Sequence, residues 1–279
     1  MKQIFIILIP SFFILTLFFS CSNIAEDERL IYVEPVEPIE PEEPEQVPRN
    51  VLIEDFTGQR CINCPKATEA IEQIKEIYGD NVISVAIHSG PNGVDKDGNY
   101  KGVPFQGLAN SIGNEYWDKW FTSGTGQPIA KINRGEPSND YNNWSAEVAQ
   151  AIQSATDVQI SAYTEYNSDT RLLTIHTSLI GKANNSAKLQ ILLTEDNIES
   201  LQIMPDGSYN SYYVHNHVFR DVVNGTWGED ITFGEGFIEK QHTYPIPEKF
   251  IPENMNVVIF VYNSNGVEQV ISEPVISIK

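Results

Sequence analysis

Apolar positions follow several rhythms along the chain. Ile4 to Phe19 is a nearly unbroken apolar run behind Lys2, interrupted only by Pro10, Ser11 and Thr16, and it stops at Ser20-Cys21 before the polar pair Ser22-Asn23. That is the layout of a secretory signal over 1–20, shorter than the ~20 apolar residues of a spanning helix. No later stretch is apolar enough to span a bilayer. Glu34-Pro35, Glu37-Pro38, Glu40-Pro41 and Glu43-Pro44 then recur every three residues. Proline fixes φ and lacks an N–H, so 21–49 is expected to join neither helix nor sheet and to extend as a polyproline-II tether.

From residue 50 the pattern becomes that of folded protein. Val51–Phe56, Asn81–His88 and Pro128–Asn133 read as buried strands. Pro65–Tyr78, Phe105–Phe121 and Trp144–Ala155 read as helices, the first carrying Ala67, Ala70, Ile71, Ile74 and Ile77 at helical spacing. Strands alternating with helices imply an α/β unit over 50–156. After Asp157 the helical period disappears. Strand-like runs succeed one another at Val158–Tyr166, Leu172–Ile180, Lys188–Thr194, Tyr212–Phe219, Ile238–Tyr244, Val257–Tyr262 and Gln269–Ile278, separated by turns such as Asn263-Ser264-Asn265-Gly266. Seven short strands in about 120 residues predict an all-β domain over 157–279, an antiparallel β-sandwich of immunoglobulin-like type.

Composition narrows the function. The chain of 279 residues holds 38 Asp+Glu against 18 Lys+Arg, a formal charge of -20, which excludes a nucleic-acid partner that needs clustered cations. The tether from Ser22 to Arg49 supplies -7 of that charge. Three cysteines are too few for a disulfide-built scaffold or a four-cysteine zinc site.

The chemistry concentrates at Cys61-Ile62-Asn63-Cys64, where a strand passes into a helix. Cysteines at i and i+3 can close a small disulfide, and the positive end of the helix favours a thiolate at Cys61, making it the nucleophile with its sulfur pointing outward. Cys64, one turn further in, is placed to resolve a mixed disulfide. A structural disulfide is the competing reading, although so short a loop constrains the unfolded chain little. Metal binding is disfavoured because there is no second cysteine pair and His88 could add at most one ligand. Neither metal nor cofactor is expected.

These residues resemble the thioredoxin superfamily. The resemblance implies that Asp55, six residues before Cys61, is a buried acid that accepts the resolving thiol's proton, with Glu54 as its rival for the inward position. It also implies that Gln127-Pro128 is the cis-proline beside the disulfide, with Gln127, Ile62 and Asn63 lining the substrate surface. Ile62-Asn63 in place of Gly-Pro, Gln59-Arg60 before the first cysteine and about 35 inserted residues before Pro128 depart from the familiar pattern and leave the direction of electron flow open. The small residue followed by Cys21 resembles a bacterial lipoprotein signal in which Cys21 is lipidated, with an ordinary cleaved signal and an uncleaved anchor as alternatives. Together with Phe56-Thr57-Gly58 and Val214-His215-Asn216-His217-Val218-Phe219-Arg220, the whole is similar to the 28-kilodalton outer-membrane lipoprotein family of Gram-negative bacteria.

The expectation is therefore a membrane-tethered thiol–disulfide oxidoreductase-like lipoprotein of the cell envelope, facing periplasm or surface. Its partners are exported protein thiols or disulfides, and the membrane itself through an N-terminal lipid. The alternative is a non-catalytic outer-membrane binding or structural lipoprotein that keeps the scaffold. Three weaker candidates remain. His215 and His217, at i and i+2, would share one side of a strand near Asp221, for packing or the start of a metal site. Asp95-Lys96-Asp97-Gly98-Asn99 has the flavour of a calcium loop but lacks its full spacing and late Glu, and reads as a turn. The helix with Tyr116, Trp117, Trp120 and Phe121 would either cover the disulfide or fill the core.

Overall fold

Strand β1 (Val51–Thr57) is buried along its whole length, which places it at the centre of the fold. The computed structural model describes residues 44–276; the expected signal, Cys21 and the tether up to residue 43 lie outside the described residues. After β1 come α1 (Cys64–Tyr78), β2 (Val82–His88), α2 (Ser111–Trp120), β3 (Ile129–Ile132) and α3 (Trp144–Ala151). β2 runs parallel to β1 and β3 antiparallel to it. α2 starts six residues later than its apolar spacing predicts. A small hairpin (Gly98–Tyr100 with Val103–Phe105) takes Phe105, and the Asn110 side chain caps the helix by accepting from the Gly113 N–H at 2.8 Å.

The rest is β-structure: β4 (Gln159–Asn167), β5 (Leu172–Ile180), β6 (Ser186–Glu195), β7 (Ile198–Ile203), β8 (Tyr209–His215), β9 (Val218–Val222), β10 (Glu229–Thr232), β11 (Ile238–Pro245), β12 (Met255–Asn263) and β13 (Gly266–Pro274). β7 and β10 carry no apolar run long enough to stand out in the sequence. The run expected as one strand at Tyr212–Phe219 is two, broken where His217 takes a left-handed φ of 55°.

β11, β5 and β4 form an antiparallel sheet. The large sheet runs β13-β12-β6-β9-β2-β1-β3, with Pro137–Ser138 beyond β3 and β10 on β6. Strands from before and after Asp157 thus share one sheet. They join where β9 meets β2 in parallel through Val218 opposite Ala86, with the Ala86 N–H donating to the His217 carbonyl at 2.8 Å.

Alternation along the strands sends side chains to opposite faces, and three cores result. Ile191, Leu193, Val257 and Ile259 face the three-stranded sheet. Val51 and Ile53 face α1 and α3, against Ala67, Ile71, Ile74 and Trp144. Leu52, Phe56, Leu192 and Phe260 face the aromatic side chains of α2. That last core is drawn from both halves of the chain. The end of the expected tether is docked on the body: Val47–Pro48 pairs with Ala155–Thr156, contrary to the expectation that it joins no ladder. A proline is tolerated in so short an edge pairing, where its missing N–H is not needed.

One buried ion pair sits inside the aromatic core. The Arg134 guanidinium meets Glu54 Oε1 at 3.1 Å, and it stacks on Tyr262 and Phe260 at 4.2 and 4.7 Å from the ring centroids. Arg134→Ala strands the Glu54 carboxylate without a partner and is expected to cost about 3–5 kcal/mol in urea unfolding. Glu54→Leu with Arg134→Met is expected to recover most of that loss.

Candidate functional site

Gly58 lets the loop between β1 and α1 lie against the Gly90–Asn92 turn: a Cβ there would meet the Asn92 carbonyl oxygen at 2.3 Å. The Arg60 N–H donates to that same carbonyl at 3.1 Å, and the Cys61 N–H turns back to the Gly58 carbonyl at 2.9 Å. α1 then starts at Cys64 with Pro65 in its first turn, no side-chain cap and no acidic residue there. Cys61 and Cys64 are joined as a disulfide, Cα to Cα 5.4 Å. The sulfurs therefore sit at the positive end of a helix whose charge no side chain neutralises. Arg60 and Lys66 are exposed.

The outward-pointing sulfur expected at Cys61 is not observed. Cys61 and Cys64 are each only 2% exposed, while Ile62 between them is 44% exposed and Asn63 is exposed as well. The physical reason is the hairpin of β7 and β8, which the second half of the chain lays over the motif. Gln202 Nε2 donates to the Cys61 carbonyl at 3.0 Å, and the Ile203 N–H donates to the Gln59 carbonyl at 2.9 Å. The buried Gln59 side chain answers by donating to Ser200 Oγ at 3.0 Å and the Leu201 carbonyl at 3.2 Å. Gln59, Gln202 and Ser200 were invisible as site residues because their partners lie about 140 positions away in sequence. α2 does not supply the cover. Its Tyr116 and Trp117, with Phe121 just past its end, fill the aromatic core with Phe56, on the face of β1 opposite α1.

Asp55 and Glu54 are both buried, so neither wins the inward position. Adjacent residues of a strand point to opposite faces. Glu54 meets Arg134 on the aromatic side, while Asp55 lies on the side of Val51, Ile53 and α1. Its Oδ1 has no partner, and burial raises its pKa to about 7. The Gln127–Pro128 bond is cis, and Pro128 is buried. The Phe56–Ile129 pairing puts Pro128 opposite Thr57 if extended by one residue. The Gln127 side chain donates to the Thr57 and Ser89 carbonyls at 2.8 and 3.0 Å, tying the ends of β1 and β2 together beside the cysteine loop.

His215 and His217 part company. His217 leaves the strand and binds Asp196 through Nδ1 at 2.9 Å, with Glu72 of α1 3.6 Å from Nε2. Burial opposes its charge, but those acids hold its pKa above the ordinary value. His215 turns inward to His88, ring centroids 5.1 Å apart. Burial depresses the pKa of both, that of His215 to about 4, so both rings are neutral. Together with Cys64, Thr57, Thr68 and Tyr213 they line a cavity of about 20 Å³. The turn expected over 95–99 is not observed as such: Gly98 and Asn99 open the hairpin strand Gly98–Tyr100, and Asp97 accepts the Gly107 N–H at 2.9 Å across that hairpin.

Asp55 generates a test. Its folded pKa near 7 exceeds the ordinary 3.8, so between those values the folded state holds a proton that the unfolded chain has released. Its contribution to stability therefore falls as pH rises from about 4 to about 7 and stays at its lowest above that. Asp55→Asn removes the penalty. The oxidised variant is expected to be more stable than wild type at pH 8, by up to about 4 kcal/mol, with the gap closing towards pH 4 in denaturant titrations.

Comparison with known proteins places the chain. No curated protein matches it. Among solved structures, HBP35 of Porphyromonas gingivalis is similar in fold at 15% identity, with a TM-score of 0.62 over 81% of this chain and 75% of that one. A structural-genomics crystal structure from Agrobacterium tumefaciens is similar at 17% identity, with a TM-score of 0.51 over 84% of this chain and 98% of that one. At such identities the likeness concerns fold alone. Among the described residues no helix is long and apolar enough to cross a membrane. The model of the outer membrane protein family Omp28 matches residues 114–277, more than half of the sequence, and the chain belongs to that family.

Proposed function

We propose that this chain is a membrane-tethered thiol–disulfide oxidoreductase-like lipoprotein of the cell envelope, lipidated at Cys21. Its reactive centre would be a thioredoxin-like module over 50–156, followed by a β-sandwich of immunoglobulin-like type over 157–279. The order β1-α1-β2, then antiparallel β3 and α3, supports the first module; the layering of β4 to β13 supports the second. The observation that carries the reading is the disulfide at the uncapped start of α1, with the unpaired, buried Asp55 on the α1 side of the adjoining strand.

In this reading the reduced pair acts on a client disulfide. The Cys61 thiolate attacks one client sulfur, forms a mixed disulfide and expels the other sulfur as a thiolate. Cys64 loses its proton to Asp55, attacks Cys61 Sγ, and releases the client's first sulfur as a thiolate. The Cys61–Cys64 bond is then closed and the client carries the two electrons. An acid of pKa about 7 suits that transfer, because it can take a thiol proton and return it near neutral pH. Exported client thiols would drive the sequence backwards. Gln127, Ile62 and Asn63 rim the docking surface, beside Pro128.

Burial of both cysteines favours a second reading, a non-catalytic binding or structural lipoprotein that keeps a sealed disulfide. The hairpin decides between them. For exchange, β7 and β8 must lift, and one hydrogen bond from Gln202 is worth about 1 kcal/mol, or about fivefold in that opening. Reduction of the purified protein by a small dithiol is expected to be about fivefold faster in Gln202→Ala than in wild type, and Cys64→Ser is expected to trap a model client on Cys61. A bond that stays closed at dithiol potentials that reduce thioredoxins, in both proteins, leaves the second reading.

A further inference from the structure

Behind the disulfide, two histidines have ring nitrogens that nothing satisfies. His88 Nδ1 and His215 Nε2 are buried without a hydrogen-bond partner. Each residue is at most 5% exposed, and both line the small cavity that Cys64 also lines. An unpaired buried nitrogen is costly, and a pair of them on residues that line one space calls for a guest there. His215 comes prepared for the task. The backbone of Ser200 and Leu201 lies beside its ring, and Nε2 is left without a partner. Backbone carbonyls beside the second ring nitrogen are what orients histidine ligands of metals.

We propose that reduction of the Cys61–Cys64 disulfide converts this place into a binding site for one thiophilic d10 cation of the zinc class, held by Cys64, His88 and His215 with Cys61 as the fourth donor. In the oxidised protein, among the described residues, no group of three or more His, Cys, Asp or Glu is set to hold a metal. There the two sulfurs are bonded to each other. Reduction by a dithiol or phosphine supplies two electrons and two protons and leaves two thiols, the reductant being oxidised. Binding a divalent cation then releases those two protons.

The donor set selects the ion. Thiolate sulfur is a soft ligand and imidazole nitrogen a borderline one, a set that suits zinc and copper(I) and disfavours magnesium and calcium. Two thiolates and two neutral imidazoles around a divalent zinc-class ion sum to zero charge, which a buried place can accept. The cavity of about 20 Å³ holds a single atom-sized guest, so the competing occupant is one water bridging the two rings. The proposal needs the pair to be reducible, as the exchange reading does, but it does not need turnover. Chemical reduction in the test separates the two.

The experiment uses the full chain in detergent, reduced with a phosphine. Zinc is titrated in competition with a chromophoric chelator, and cobalt(II) is titrated separately for its visible spectrum. The reduced protein is expected to take up one equivalent of zinc and the oxidised protein none. With cobalt it is expected to give intense tetrahedral bands together with sulfur-to-metal charge transfer. His88→Gln and His215→Gln are each expected to weaken zinc by more than about tenfold. Zinc-edge X-ray absorption on wild type reads nitrogen beside sulfur, so a misfolded variant leaves the question open to measurement. Absence of stoichiometric zinc in the reduced protein, as a lone bridging water requires, would overturn the proposal. So would a sulfur-only first shell.

Discussion

The structure depends on β1 being buried on both faces. A strand in that position exposes neither of two adjacent carboxylates, and each face must answer its own. On the aromatic face Glu54 is answered by Arg134, whose guanidinium lies among Tyr116, Trp120, Phe260 and Tyr262. Two of those rings come from each half of the chain, so the ion pair is a joint between them. On the other face nothing answers Asp55, and burial keeps its proton on until about pH 7. The same strand therefore supplies a structural charge and a titrating one, separated only by the pleat.

The second half of the chain reaches into the cysteine site. β9 extends the sheet from β2, and the hairpin just before it, β7–β8, lies across the loop that carries Cys61. Gln59, Gln202 and Ser200 knit that contact from both sides. Access to the disulfide and its chemistry are thus properties of two different stretches of sequence. His217 adds a further tie by linking Asp196 to Glu72 on α1. His215 closes the site from below, beside His88.

Much of this was legible. The strand–Cys-x-x-Cys–helix order, the short strand after Pro128 and most strands after Asp157 follow from local patterns, because alternation and helical spacing are written in neighbouring residues, whereas the cis Gln127–Pro128 bond was expected only from the resemblance. Leu172–Ile180 matches its expected bounds. The start of α2 was missed because a cap at Asn110 and a hairpin compete with the apolar spacing. The break at Asn216–His217 was missed because a left-handed histidine leaves no local sign. The outward Cys61 was inferred from the helix end alone, with no account of what a distant hairpin could place over it.

By itself, the sequence determined the cysteine pair, the helix end beside it and the types of element on either side, since these depend on residues within a few positions of one another. Only the tertiary structure decided that Glu54 and Asp55 face different environments, that His215 rather than His217 lines the cavity beside Cys64, and that the disulfide is covered. Those outcomes depend on pairing across 100 or more residues, between strands that share one sheet. Register and burial are set there by the packing of whole faces, which no local pattern encodes.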